Sequence, residues 1–154
     1  ALACSAMIYI DTRRDLWRAA QTFPRFFGTG AVLASATLFA ASPTLPLLLV
    51  LTAAVLAKLA VEARVLRPLD EDDDTPTAPL KTAQMLTGPL RLVHNLRAAS
   101  ALLACFAAFA ITRAPAPLLL AWTIPLALLI SELSERYLYF RAVVAPKMPG
   151  VVSK

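Results

Sequence analysis

Charge is missing from four stretches of this 154-residue chain: residues 26–42, 43–57, 98–112 and 114–131 contain no Asp, Glu, Lys or Arg. Other absences narrow the chemistry. The two cysteines, Cys4 and Cys105, are far apart and form no Cys-x-x-Cys motif, which excludes the usual ligation of an iron–sulfur cluster or structural zinc. In apolar contexts they read as buried, inert thiols. A single histidine, His94, excludes bis-histidine haem ligation within this chain. Four glycines build no phosphate-binding loop or nucleophile elbow. No paired carboxylates suggest a soluble catalytic cleft, so the sequence argues against catalysis by this chain alone and provides no metal site.

What is present is apolar. Hydrophobic residues make up 58% of the chain and mean hydropathy is +0.66, whereas ordinary soluble domains hold about 45–50% apolar residues. A bilayer-spanning helix needs about 20 mostly apolar residues, with snorkelling permitted at its ends. With their flanks the four stretches reach that length, as Arg25 to Ser42, Pro43 to Arg64, Leu92 to Arg113 and Ala114 to Arg136. They predict an all-α integral membrane helical bundle of four transmembrane helices in two hairpins, residues 26–64 and 91–136.

Basic residues set the sidedness, because Lys and Arg resist translocation. Segments 1–25, 58–97 and 136–154 carry 14 of the 15 Lys and Arg residues, and the connections near Pro43 and Pro115 carry only Arg113. Both termini and the 65–90 segment are therefore expected on the cytoplasmic side. Residues 11–25 read as a basic cytoplasmic connection and 137–154 as a basic tail. In 65–90, the acidic run Asp70 to Asp74 and the Pro-rich residues after it predict a solvated loop. A short interfacial helix from Leu80 to Leu86 follows, and Pro89 is expected to open the third span. Residues 1–10 read as the end of a preceding transmembrane helix, so the chain is expected to be the C-terminal part of a longer polypeptide.

The polar residues of interest flank the spans. Arg91, His94 and Arg97 recur every three residues and are expected to snorkel from one helix end. Lys58 and Glu62 share a helix face, as do Glu132 and Arg136, and both spacings predict ion pairs. Ionisable groups at membrane depth are costly unless paired or facing a cavity. These pairs are thus candidates for structural pairing, for subunit docking or for contact with a redox ligand. Trp122 and Tyr137 read as interfacial anchors. Pro125 is expected to kink the fourth helix by removing a backbone bond to Ala121. A faint echo, Pro46-Leu-Leu-Leu and Pro117-Leu-Leu-Leu each leading to a Glu-bearing helix end, is compatible with a duplicated hairpin.

Three islands carry a family resemblance. The opening Cys4-Ser5-Ala6-Met7-Ile8-Tyr9-Ile10-Asp11-Thr12-Arg13-Arg14, followed by Trp17, resembles the stretch linking the halves of the dimethyl sulfoxide reductase anchor-subunit family. Leu86-Thr87-Gly88-Pro89-Leu90, with Arg97 beyond, is similar to that family's approach to its penultimate helices. The run Glu135-Arg136-Tyr137-Leu138-Tyr139-Phe140-Arg141-Ala142-Val143-Val144-Ala145-Pro146-Lys147-Met148-Pro149-Gly150 is the most specific match.

The resemblance implies the last four helices of an eight-helix anchor in the bacterial inner (cytoplasmic) membrane. Such an anchor tethers a molybdopterin catalytic subunit and a four-cluster iron–sulfur subunit and exchanges electrons with quinone, menaquinone or ubiquinone. The molybdenum cofactor and the iron–sulfur clusters would lie in those partners, in a complex for sulfoxide reduction or sulfite oxidation. His94 and Trp122 are then the quinone-binding candidates, although the principal quinone ligands are expected in the N-terminal half. Lys58, Glu62, Glu132, Glu135, Arg136, Arg141 and Lys147 are the candidates for partner docking or structural pairing. The alternative is a small homo-oligomeric transporter half or assembly factor.

Overall fold

The computed structural model describes residues 19–69, 78–114 and 117–142, together with Cys4, Met7 and Asp11. These residues are helical, with no strand among them. Helix α1 spans Ala19–Ala41, α2 Leu45–Ala63, α3 Ala78–Thr87, α4 Arg91–Arg113, α5 Leu118–Ala121 and α6 Thr123–Arg141; a 3-10 helix, Arg64–Leu69, prolongs α2.

Local chemistry accounts for the boundaries. Helix α2 starts behind Thr44 in extended conformation, with proline in its first turn, where the ring's fixed φ suits a helix and its missing N–H costs nothing. Helix α3 closes on Gly88, whose N–H donates to the Gln84 carbonyl at 2.9 Å, while Leu90 N–H reaches back to Met85 at 3.0 Å. A Cβ on Gly88 would fall 2.9 Å from the Gln84 oxygen, so the turn requires glycine. Helix α4 starts at Arg91, leaving Pro89 in the turn instead of opening the helix.

Two boundaries depart from the sequence expectation. Helix α1 begins at Ala19, so Arg25 lies inside it and not at its border. The segment expected as a fourth span is interrupted at Trp122, between α5 and α6. Pro125 thereby falls in the first turn of α6, where the missing N–H needs no partner. Trp122 itself keeps right-handed helical dihedrals, φ -71° and ψ -14°, so the interruption is a local one in a helical path, as the proline kink expected from the sequence requires.

The α1–α2 and α4–α6 hairpins pack side by side. Beyond the contacts within each hairpin, α1 meets α6 and α2 meets α4, giving an up-down-up-down ring of four long helices. Their shared core holds Val32, Phe39, Leu51, Val55, Ile124 and Leu128. On α4 it is lined by Ala101, Ala104 and Ala108, small residues whose helical spacing puts them on one face and lets neighbouring backbones approach. A smaller cluster of Val65, Leu86, Leu138 and Ala142 seats α3 and the 3-10 helix against one end of the bundle.

Two helical segments, Leu45–Leu66 and Arg91–Arg113, are long and apolar enough to cross a membrane. Large apolar side chains also point outward: Leu92 is 71% exposed, Leu103 66%, Phe106 70% and Leu119 85%.

A buried ion network as the candidate functional site

At the end of the bundle beneath α3 the interior turns polar. The N-terminal part of α1, the C-terminal part of α2, the N-terminal part of α4 and the C-terminal part of α6 converge there. Three cations and three carboxylates are buried among them: Arg25, Lys58 and Arg97 with Glu62, Glu132 and Glu135, each at most 6% exposed. Their formal charges cancel, which is the condition for survival in a low-dielectric interior where an isolated ion would cost many kcal/mol.

The pairing crosses between hairpins. Arg97 on α4 donates from Nη2 to Glu62 Oε1 of α2 at 2.6 Å, and its second terminal nitrogen meets the other carboxylate oxygen. Arg25 Nη1 on α1 donates to Glu135 Oε1 of α6 at 3.2 Å. The first-helix arginine of each hairpin therefore pairs with a second-helix glutamate of the other, and the two Arg-to-Glu spacings within the hairpins are nearly equal in sequence. This reciprocity gives the faint repeat a structural counterpart.

Lys58 stands between the two pairs. Its Nζ donates to Glu132 Oε2 and, at 2.8 Å, to Thr29 Oγ1, with Glu135 Oε2 at 3.8 Å and Glu62 Oε1 at 4.0 Å. The Thr29 hydroxyl donates to Glu132 Oε2 at 2.7 Å. Gly28 makes room for the lysine stem, since a Cβ there would lie 3.3 Å from Lys58 Cγ and Cδ. Around the network, Ser131 donates to the Arg97 carbonyl at 3.0 Å, and the Thr22 and Tyr139 hydroxyls are 2.9 Å apart.

The structure redistributes the sequence-derived candidates. Lys58 and Glu62 are neighbours, but each has a stronger partner on another helix. The expected Glu132–Arg136 pair is not among the ion pairs of the described residues. Glu132 faces Lys58, and the Arg136 guanidinium lies over the Phe26 ring, 3.7 Å from its centroid. Arg97 does not snorkel: it is 4% exposed and turned into the bundle. Glu135 joins the network, while Arg141 is exposed. Arg25 and Thr29 were missed. Their signal was the number of carboxylates at the inner helix ends, which required more cations than Lys58 alone.

His94 is half-buried and lines a cavity of about 20 Å³ with Arg25, Glu62, Arg97, Glu135 and Tyr139. Trp122 is 47% exposed at the opposite end of α6. The two quinone candidates are thus separated by most of a helix, roughly 20 Å at 1.5 Å per residue, and are not brought together. The cavity beside His94 is too small for a quinone ring. A groove of about 450 Å³ between α2 and α4 is lined mainly by apolar residues including Leu48, Leu56, Phe106 and Phe109, with Thr52 and Cys105 among them and no charged side chain. Neither His94 nor Trp122 lines this groove.

Cys105 is half-buried, and Cys4 is exposed, contrary to the expectation that both thiols are buried. No cluster of His, Cys, Asp and Glu among the described residues is arranged to hold a metal ion. Lys147, the acidic run Asp70 to Asp74 and most of the 1–10 and 137–154 segments lie outside the described residues. Comparison with protein families, with curated proteins and with solved structures finds no match to this chain.

Proposed function

We propose that this chain is a multi-pass membrane subunit whose α1, α2, α4 and α5–α6 segments cross the bilayer. In this reading it anchors a larger oxidoreductase of the dimethyl sulfoxide reductase type. The observation carrying the membrane part is the inverted distribution of polarity: Leu103 and Phe106 point outward while Lys58, Glu62, Arg97 and Glu132 are sealed inside. Water favours the reverse arrangement, whereas a hydrocarbon solvent favours this one.

The anchor part rests on the sequence resemblance. Leu86–Leu90 and the described part of the third island, residues 135–142, adjoin the end of the bundle that carries the ion network. A neutral, interlocked network suits a subunit that holds its helices in fixed register while soluble partners dock at the polar end. Those partners would be a four-cluster iron–sulfur subunit and a molybdopterin subunit. The principal contacts to the quinone headgroup would lie elsewhere in the complex, because His94 and Trp122 are not brought together in one pocket.

The transporter alternative draws on the helix break at Trp122. Transporter sites usually combine broken helices with charged groups near the bilayer midplane; here the break and the charges lie at opposite ends of α6.

The deciding experiment is isolation, under gentle solubilisation, of whatever a tag on this chain retains, followed by metal analysis. Molybdenum and a several-fold excess of iron, with two hydrophilic subunits, are expected. Metal-free protein from intact complexes would overturn the anchor reading.

A further inference from the structure

Four polar atoms of the network have no hydrogen-bond partner among the described residues: Glu62 Oε2, which is held in the ion pair with Arg97 Nη1, and Arg25 Nε, Arg97 Nε and Glu135 Oε2. Arg25, Arg97 and Glu135 are each more than nine-tenths buried, and all three line the same cavity of about 20 Å³, beside His94. With Glu62 Oε2 already facing Arg97 Nη1, two donors and one acceptor remain. Buried water characteristically makes about three hydrogen bonds, and a volume of about 10–15 Å³ accommodates one molecule. Leaving these three atoms unpaired in a buried site would carry the full desolvation penalty of each.

We propose that this cavity is a hydration site: one water molecule accepts from Arg25 Nε–H and Arg97 Nε–H and donates to Glu135 Oε2. It ties the two crossing ion pairs to each other, since Arg25 and Glu135 form one pair and Arg97 belongs to the other. Its second proton faces the remaining polar lining, where His94 is the half-buried member. The water thus gives the sealed network a hydrogen-bonded contact with the polar side of the bundle, through which protons exchange without any helix moving. An anion as large as phosphate is excluded by volume. An apolar ligand is excluded by the charged lining. The inference does not depend on which partners the subunit has.

Water-edited solid-state NMR of the full chain in bilayers, with arginine 15N-labelled, tests it. Magnetisation from water is expected to reach the Nε–H of Arg25 and Arg97 as fast as the exposed Arg64 and Arg91, despite burial. In Ala142→Leu, which adds side-chain volume from the cavity wall, the transfer to Arg25 and Arg97 should be lost while Arg64 and Arg91 are unchanged. Unmodified protein in which the two buried Nε–H groups receive no water magnetisation, while Arg64 and Arg91 do, would overturn the proposal. That measurement requires no variant to fold.

Discussion

Arg97, in the second turn of α4, and Glu62, near the end of α2, form a two-pronged ion pair that is more than nine-tenths buried. Glu62 has only the more distant Lys58 on its own helix, at 4.0 Å. The Arg97–Glu62 contact exists only when the two hairpins dock, so it reports their register directly. Arg25 and Glu135 make the corresponding statement for α1 and α6.

Removing one member of such a pair should cost more than removing both. Glu62→Gln leaves Arg97 charged and under-paired, and about 3–5 kcal/mol of stability is expected to be lost. Glu62→Met combined with Arg97→Met should recover most of it, because neither charge then needs a partner. Unfolding titrations in mixed micelles provide the comparison; equal losses in the single and double variants would contradict the pairing.

Gly28 faces the Lys58 stem at a distance where a methyl group is tight but tolerable. Gly28→Ala should be close to neutral, since the lysine chain can yield by a few tenths of an ångström and alanine favours the helix. Gly28→Leu should displace Lys58 from Glu132 and cost about 1–3 kcal/mol, the usual range for overpacking. The same titrations separate the two variants.

Leu103 is central in α4 and 66% exposed. In a membrane subunit Leu103→Lys should impair insertion by about 2.5–3.5 kcal/mol, the cost of lysine at the centre of a span. A glycosylation-reporter insertion assay reads this. Unimpaired insertion, or soluble folded protein, would remove the basis for placing α4 in lipid.

Pro125 lacks the N–H that would close the helix onto Ala121 across Trp122. Pro125→Ala restores an N–H that can donate to the Ala121 carbonyl, and α5 and α6 are expected to fuse into one helix. Slower amide exchange across residues 121–125 and a shifted Trp122 emission would show it. An unchanged exchange pattern would mean that packing, not proline, holds the break.

Arg136 over Phe26 is a cation–π contact at the rim of the network. Phe26→Leu should keep the apolar packing and lose about 0.5–2 kcal/mol of that attraction. Arg136→Ala should lose a similar amount, and the double variant little more than either single one. Additive losses would show that the two residues act independently.

The sequence by itself determined that the chain is helical, where its long apolar segments lie, and that its charges gather at one end of the hairpins. Apolar run length and charge-free spacing are local properties, and a helix satisfies its own backbone whatever lies beside it. The stop at Gly88 was equally legible, because glycine acts on the backbone at its own position, whereas Pro89 sits in the turn and not at the head of α4. Partner choice among the charges was decided only by tertiary structure. Lys58 and Glu62, or Glu132 and Arg136, share a face in an isolated helix, but four helix ends meeting in one low-dielectric place offer shorter partners across helices. Arg25 and Arg97 turn inward because three carboxylates need their charge there. No spacing along a single helix contains that requirement; the packing of the two hairpins creates it.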